Sequence, residues 1–166
     1  IPETAKLIGR GMDFGFTTDP TAIVDVYQYD GKLWVNEHCY ERGLTNDQIA
    51  DRLRDKDCDV IADSAEQKSI REIYNYGIKK IEAANKGADS IRNGIQILQR
   101  YEICVTKSSL NLIYELRNYK WKEDKITGEL RNEPIDSNNH ALDALRYVAL
   151  NKLSESSKPR GIRVRN

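Results

Sequence analysis

The chain has little of what marks a secreted, membrane or zinc-binding protein. Cysteine is scarce: Cys39, Cys58 and Cys104 are three residues in 166, widely spaced and without a C-x-x-C pair. That excludes zinc spacing and a disulfide framework and fits a reducing cytoplasm, with each thiol acting as a small hydrophobe. No apolar run approaches the length of a membrane span, and no signal peptide is visible. Net charge is absent too, with 26 basic residues against 26 acidic ones. A zero balance excludes coating nucleic acid by bulk charge, while leaving room for a local basic groove. There is no G-x-x-x-x-G-K-[ST] loop. Lys86-Gly87 is the nearest approach and lacks the spacing, so no ATP hydrolysis is expected. Neither a helix-turn-helix nor a zinc module offers base-specific reading. The chain starts at Ile1 without a methionine, which suggests a piece of something longer.

What is present is an orderly alternation of elements, in a length that fits one domain. Lys6–Phe14, Thr21–Tyr29 and Lys32–Tyr40 read as strands, the last two joined by the hairpin signal Asp30-Gly31. Thr45 with Gln48 forms a capping box opening a helix to about Arg54. Asp59–Asp63 (D-V-I-A-D) has the all-apolar centre of a parallel strand buried on both faces. Ser64 is expected to cap a helix over Ala65–Tyr76, stopped by Gly77. Lys79–Ala84 and Tyr101–Val105 read as strands. Between them a helix starts at Asp89 or Ser90, with Ile91, Ile95 and Leu98 as its stripe. A helix to Asn118 turns Leu112, Ile113 and Leu116 inward. A polar hairpin brackets Thr127-Gly128, and His140–Leu153 is an amphipathic helix. The order predicts an α/β fold: an antiparallel meander followed by parallel strands in one mixed sheet, with helices on both faces. The expected domain covers residues 1–153, and the serine- and arginine-rich stretch 154–166 is expected to be a mobile basic tail.

Three aspartates sit at special places in this plan. Asp13 lies in G-M-D-F-G at the end of the first strand. Gly11 and Gly15 flank it and are expected to keep the backbone thin enough for an anion to approach. Asp63 ends the first parallel strand, where ligands bind in α/β sheets. Asp143 lies one turn into the last helix among Ala141, Leu142, Ala144 and Leu145. A carboxylate there costs several kcal/mol unless a cation meets it. A metal ion is one such cation, and a salt bridge, to Arg146 or to a lysine elsewhere, is the alternative. Three carboxylates without a histidine or cysteine cluster form a hard oxygen site, suited to Mg²⁺ or Mn²⁺ and wrong for zinc. Two such ions roughly 3.5–4 Å apart clamp the attacking and leaving oxygens of a phosphoryl displacement.

The stretches G-M-D-F-G-F-T-T-D-P-T-A, V-I-A-D-S-A-E and N-N-H-A-L-D-A-L-R-Y, in that order, resemble the carboxyl-terminal nuclease domain of the large terminase subunit of tailed double-stranded DNA phages. The resemblance runs from about Leu7 to Lys152. It implies a ribonuclease-H-like fold and a metal-dependent endonuclease that cuts concatemeric viral DNA during packaging in the cytoplasm of an infected bacterium. The family's metal-binding carboxylates fall on Asp13, Asp63 and Asp143. The packaging ATPase domain is missing from this chain. That domain, the portal protein and the small terminase subunit are the protein partners the resemblance implies, beside duplex DNA. A Holliday-junction resolvase of the same fold, and a non-catalytic portal-docking module, are the rival readings.

Accessory candidates surround this core. Asp19 either holds a metal-bound water or forms the turn before Pro20. Glu66 lies three residues beyond Asp63, where a helix start also favours an acid. Asp136 and His140 lie close to Asp143, and His140 shares its helix face. The resemblance places His140 near the metals, as outer ligand or proton shuttle. Lys86, Lys107 and Lys122 are candidates for phosphate contacts. Trp121, set among lysines on the polar hairpin, packs either on DNA, on a partner protein or back on the sheet.

Overall fold

The Asp30-Gly31 turn closes the first hairpin with both residues at positive φ, 49° and 72°, as a two-residue turn between twisted strands requires. In the computed structural model, which describes residues 1–124, 126–135 and 137–154, the hairpin belongs to a six-stranded sheet. Strands β1 (Lys6–Asp13), β2 (Thr21–Tyr29) and β3 (Lys32–Glu41) form the antiparallel meander. The short strands β4 (Val60–Ala62), β5 (Ile81–Ala83) and β6 (Ile103–Val105) extend it in parallel, giving the order β5-β4-β1-β2-β3-β6. A separate hairpin pairs β7 (Trp121–Glu123) with β8 (Leu130–Pro134).

Helices cover both faces. On one, α1 (Asn46–Leu53) and α2 (Gln67–Asn75) seal a core in which Met12, Ile23, Val60 and Ala62 of the sheet meet Ile49, Leu53, Ile70 and Ile73. The Thr45–Gln48 capping box is present at the start of α1. On the other face, α3 (Ser90–Leu98), α4 (Leu110–Asn118) and α5 (His140–Val148) pack on Val24, Val26, Leu33, Val35 and Ile61. Cys39 is buried, and burial pushes its thiol up to about 12, as for a packing residue. All three cysteines are free.

Four local expectations are corrected. Ser64 caps nothing; α2 begins two residues late, at Gln67, because Asp63 Oδ1 accepts the Ala65 N–H at 2.9 Å and closes its own turn. The stripe of α3 is rotated: Gly94, Ile97 and Leu98 face inward and Ile91 is exposed, because Gly94 must admit the Arg146 side chain. On α4 the inward residues are Leu112 and Glu115, whereas Leu116 faces solvent, for a reason given below. The last helix does not continue regularly to Leu153. Residues Ala149–Leu153 widen to a π-helical turn, in which the Asn151 amide donates to the Tyr147 carbonyl at 2.7 Å and accepts the Asn85 N–H at 3.0 Å.

One buried charge had no counterpart in the sequence reading. Arg10 on β1 is fully buried, opposite Asp25 on β2, with Nε 2.5 Å from Asp25 Oδ1. It also reaches Asp55 at 2.6 Å and the Leu53 carbonyl at 3.2 Å, tying the end of α1 to the sheet. Lys56 completes the cluster, 2.5 Å from Asp25 Oδ2. A charge buried this far is tolerated because every partner oxygen is matched.

Candidate active site

Strands β1 and β4 are parallel neighbours, with Gly11 beside Ile61 and Met12 beside Ala62. The next pair is therefore Asp13 and Asp63, at the carboxyl ends of adjacent strands, and the Asp63 N–H donates to the Met12 carbonyl at 3.0 Å. Helix α5 crosses β1 at close range. A Cβ on Gly11 would sit 1.8 Å from the Ala144 carbonyl oxygen, so only glycine admits the helix here. Gly11 thus serves the helix contact and not the approach of an anion. Gly15 likewise lies in a tight turn, where an added Cβ would meet the carbonyl oxygens of Asp19 and Pro20 at 2.3 and 2.4 Å. The close packing of α5 on β1 brings His140 and Tyr147 down onto the strand ends and sets Asp143 near enough to Asp13 for their charges to interact.

Tyr147 ties the two strand carboxylates together. Its hydroxyl lies 3.2 Å from Asp13 Oδ1 and 3.3 Å from Asp63 Oδ2, with the ring buried. His140 Nδ1 is 3.0 Å from Asp13 Oδ2, and its Nε2 is 3.6 Å from Asp19 Oδ1, so the imidazole spans both acids. The hydrogen bond to Asp13 raises the His140 pKa against the opposing effect of burial. Burial alone would raise the Asp63 carboxyl, but the Ala65 N–H, the Lys86 ammonium and the Tyr147 hydroxyl outweigh it and hold it below its ordinary value. Burial does raise Asp143, only partly offset by Arg146, whose guanidinium lies 2.7 Å from Asp143 Oδ1. The apolar surroundings of Asp143 are therefore met by the salt bridge. Among the described residues, no three His, Cys, Asp or Glu side chains are gathered into a ready metal cage. The carboxylate oxygens of Asp63 and Asp143 are met by amino-acid cations and a hydroxyl.

Of the accessory candidates, the structure joins His140 and Asp19 to Asp13. Lys86 makes its ion pair with Asp63. Glu66 points elsewhere, accepting from Ser69 and lining a groove of about 460 Å³ with Phe14, Phe16 and Leu44. Lys107 is exposed after β6, which β1, β2 and β3 separate from β4. Trp121 and Lys122 are half-buried on the separate hairpin, with Trp121 opposite Pro134. Asp136 lies outside the described residues, as does the tail beyond Ser154.

Two residues that frame the candidate site carried no signal that sequence reasoning used. Tyr147 looks like one more apolar position of α5. Glu115 looks like a polar break in α4, yet it is buried. Its Oε2 accepts the Leu142 N–H at 2.9 Å, capping α5 from outside, and its Oε1 accepts the Tyr40 hydroxyl at 2.8 Å. That duty turns Glu115 inward and Leu116 out. Burial raises the Glu115 pKa, so the folded chain binds this proton more tightly than the unfolded chain. Stability from this group is therefore full below the ordinary glutamate pKa and declines as pH rises through the raised value. Glu115→Gln keeps an acceptor and removes the charge. Urea unfolding at about pH 4 and about pH 7 is expected to show the variant gaining on the wild type at the higher pH. Glu115→Ala, which orphans two donors, is expected to lose about 1–3 kcal/mol.

A mixed sheet with this strand order, carboxylates ending two parallel neighbours and a third on the crossing helix is the ribonuclease-H-like architecture. The terminase RNAseH-like domain model matches residues 13–151, and the chain belongs to that family. It is 31% identical over 154 residues to the terminase large subunit of Bacillus phage SPP1, covering 85% of this chain and 35% of the relative. The chain thus spans about a third of that protein. The nuclease domain of the SPP1 large terminase, solved with bound Mn, superposes with a TM-score of 0.75 at 30% identity, over 84% of this chain and 82% of the other. The large terminase nuclease of the thermophilic phage G20c, solved with bound magnesium, shares the fold at a TM-score of 0.61 and 17% identity, over 89% and 82%. No helix among the described residues is long and apolar enough to cross a membrane.

Proposed function

We propose that the chain is a metal-dependent DNA endonuclease, hydrolysing phosphodiester bonds of concatemeric viral DNA during packaging. The observation that carries this reading is the register that sets Asp13 and Asp63 side by side under α5. Their oxygens, with Asp143, form a hard donor set that fits Mg²⁺ or Mn²⁺. The SPP1 and G20c relatives, solved with Mn and magnesium, support the same choice.

Asp13, Asp63 and Asp143 would hold two such ions. When bound, the ions supply an ionised water as nucleophile and charge neutralisation at the leaving oxygen. The chain's own residues do the rest. His140, held between Asp13 and Asp19, fixes the orientation of the Asp13 carboxylate. Tyr147 keeps Asp13 and Asp63 at a common hydroxyl. Arg146 neutralises Asp143 where it enters the apolar helix face. Residues 1–153 form the catalytic unit. The ATPase domain, portal protein and small terminase subunit are its partners in the full motor, acting in the host cytoplasm. Without a base-reading module, duplex DNA is held by its phosphates, with little sequence preference and strong weakening by salt.

Incubation with supercoiled plasmid tests this. Nicking and linearisation are expected with Mg²⁺ or Mn²⁺ and none with chelator. Preference for four-way junctions would favour a resolvase, and inertness in both metals at low salt would favour a docking module.

A further inference from the structure

Each of the three aspartates already has a basic partner: His140 for Asp13, Lys86 for Asp63 and Arg146 for Asp143. The three partners are not equally free to leave. Arg146 has only 5% of its side chain exposed, and it runs against Gly94, where an added Cβ would lie 2.2 Å from Arg146 Cγ. It is wedged between α3 and α5. His140 is hydrogen-bonded to Asp13 through Nδ1, with Asp19 3.6 Å from its Nε2. Lys86 has 28% of its side chain exposed and rides on the loop between β5 and α3. The next residue, Gly87, has open space where a Cβ would be. The Lys86 ammonium bonds Asp63 Oδ1 and lies 4.6 Å above the Tyr147 ring, over the phenol that bridges Asp13 and Asp63.

Resting on the metal-binding reading above, we propose that Lys86 is a tethered counter-cation that a divalent metal ion must displace from Asp63. An ammonium on the carboxylate and a divalent ion on the same carboxylate repel each other at a few ångströms, in a partly buried place where water screens them weakly. The lysine therefore taxes metal binding. In return it holds the Asp63 carboxylate in position before any metal arrives. Once displaced, the flexible stem carries the ammonium off on a loop anchored to the π-helical turn after α5 by Asn85 and Asn151. The charge that guards the metal-free site is then available to the phosphodiester.

Calorimetric titration of the whole chain with Mn²⁺ tests this without reference to cutting. Lys86→Met keeps the stem and removes the charge, and it is expected to bind Mn²⁺ about tenfold more tightly than wild type. Lys86→Arg keeps a cation and is expected to stay close to wild type. Unchanged or weaker Mn²⁺ binding by Lys86→Met overturns the inference and leaves the metal reading standing. No Mn²⁺ binding by wild type, or binding that Asp63→Asn leaves intact, overturns the metal reading and this inference with it.

Discussion

Asp63→Asn is expected to cut supercoiled plasmid on the order of 10³-fold more slowly than wild type, with its fold intact. Asparagine matches aspartate in size and keeps an oxygen that can accept the Ala65 N–H now held at 2.9 Å. What it loses is the negative charge toward which Lys86 and the Tyr147 hydroxyl point. If Asp63 holds a metal, that charge is worth several kcal/mol of transition-state stabilisation, and each 1.36 kcal/mol is about tenfold in rate. Asp13→Asn should behave in the same way, since Asp13 ends the neighbouring strand and shares the Tyr147 hydroxyl with Asp63. Cutting by Asp63→Asn within about threefold of wild type would remove Asp63 from the mechanism.

Gly11→Ala carries the largest expected effect on the fold. Its methyl group would stand 1.8 Å from the Ala144 carbonyl oxygen and 2.4 Å from the carbonyl carbon. Both atoms belong to the helix backbone, so no rotamer change relieves the clash and α5 must lift away from β1. Overpacking a core costs about 1–3 kcal/mol and more where backbone must move, so a loss of about 3 kcal/mol or more is expected in urea unfolding. The same shift lifts Asp143, the neighbour of Ala144, away from Asp13. A displacement of about 1 Å at a catalytic group costs about 10²-fold in rate, so activity should fall even at temperatures where the variant remains folded. Stability within about 0.5 kcal/mol of wild type would show that the helix crossing is looser than the structure has it.

The three candidate aspartates stand out in the sequence because each breaks its local pattern. Asp13 ends a strand between glycines, Asp63 ends an apolar triplet, and Asp143 interrupts an apolar helix face. The meander was legible from its turn chemistry, and the two buried layers followed from the order of elements. Tyr147 was not legible, because an aromatic residue on a buried helix face reads as packing; only the placement of its hydroxyl over two strand ends gives it a role. Glu115 was missed because periodicity weighs apolar side chains. It cannot see a helix end that needs an acceptor 27 residues away. Arg10 was missed for a similar reason: its match is the cross-strand pairing with Asp25, which exists only once β1 and β2 are in register. Lys86 stood out only as one of several candidates for phosphate contacts, whereas its partner is the Asp63 carboxylate. Gly11 and Gly15 were noticed for the wrong reason, since a tight approach of helix and strand at Gly11, or of a turn's backbone at Gly15, leaves the same mark as a tight approach of a ligand.

The central claim is that Asp13, Asp63 and Asp143 together hold divalent metal. The most direct measurement is anomalous X-ray scattering from a crystal of this chain soaked in Mn²⁺. The account predicts Mn²⁺ peaks within coordinating distance of Asp13, Asp63 and Asp143 oxygens, with the Lys86 ammonium moved off Asp63. A soaked crystal with no peak there, or with Lys86 still paired to Asp63 beside a Mn²⁺ bound elsewhere, would contradict it.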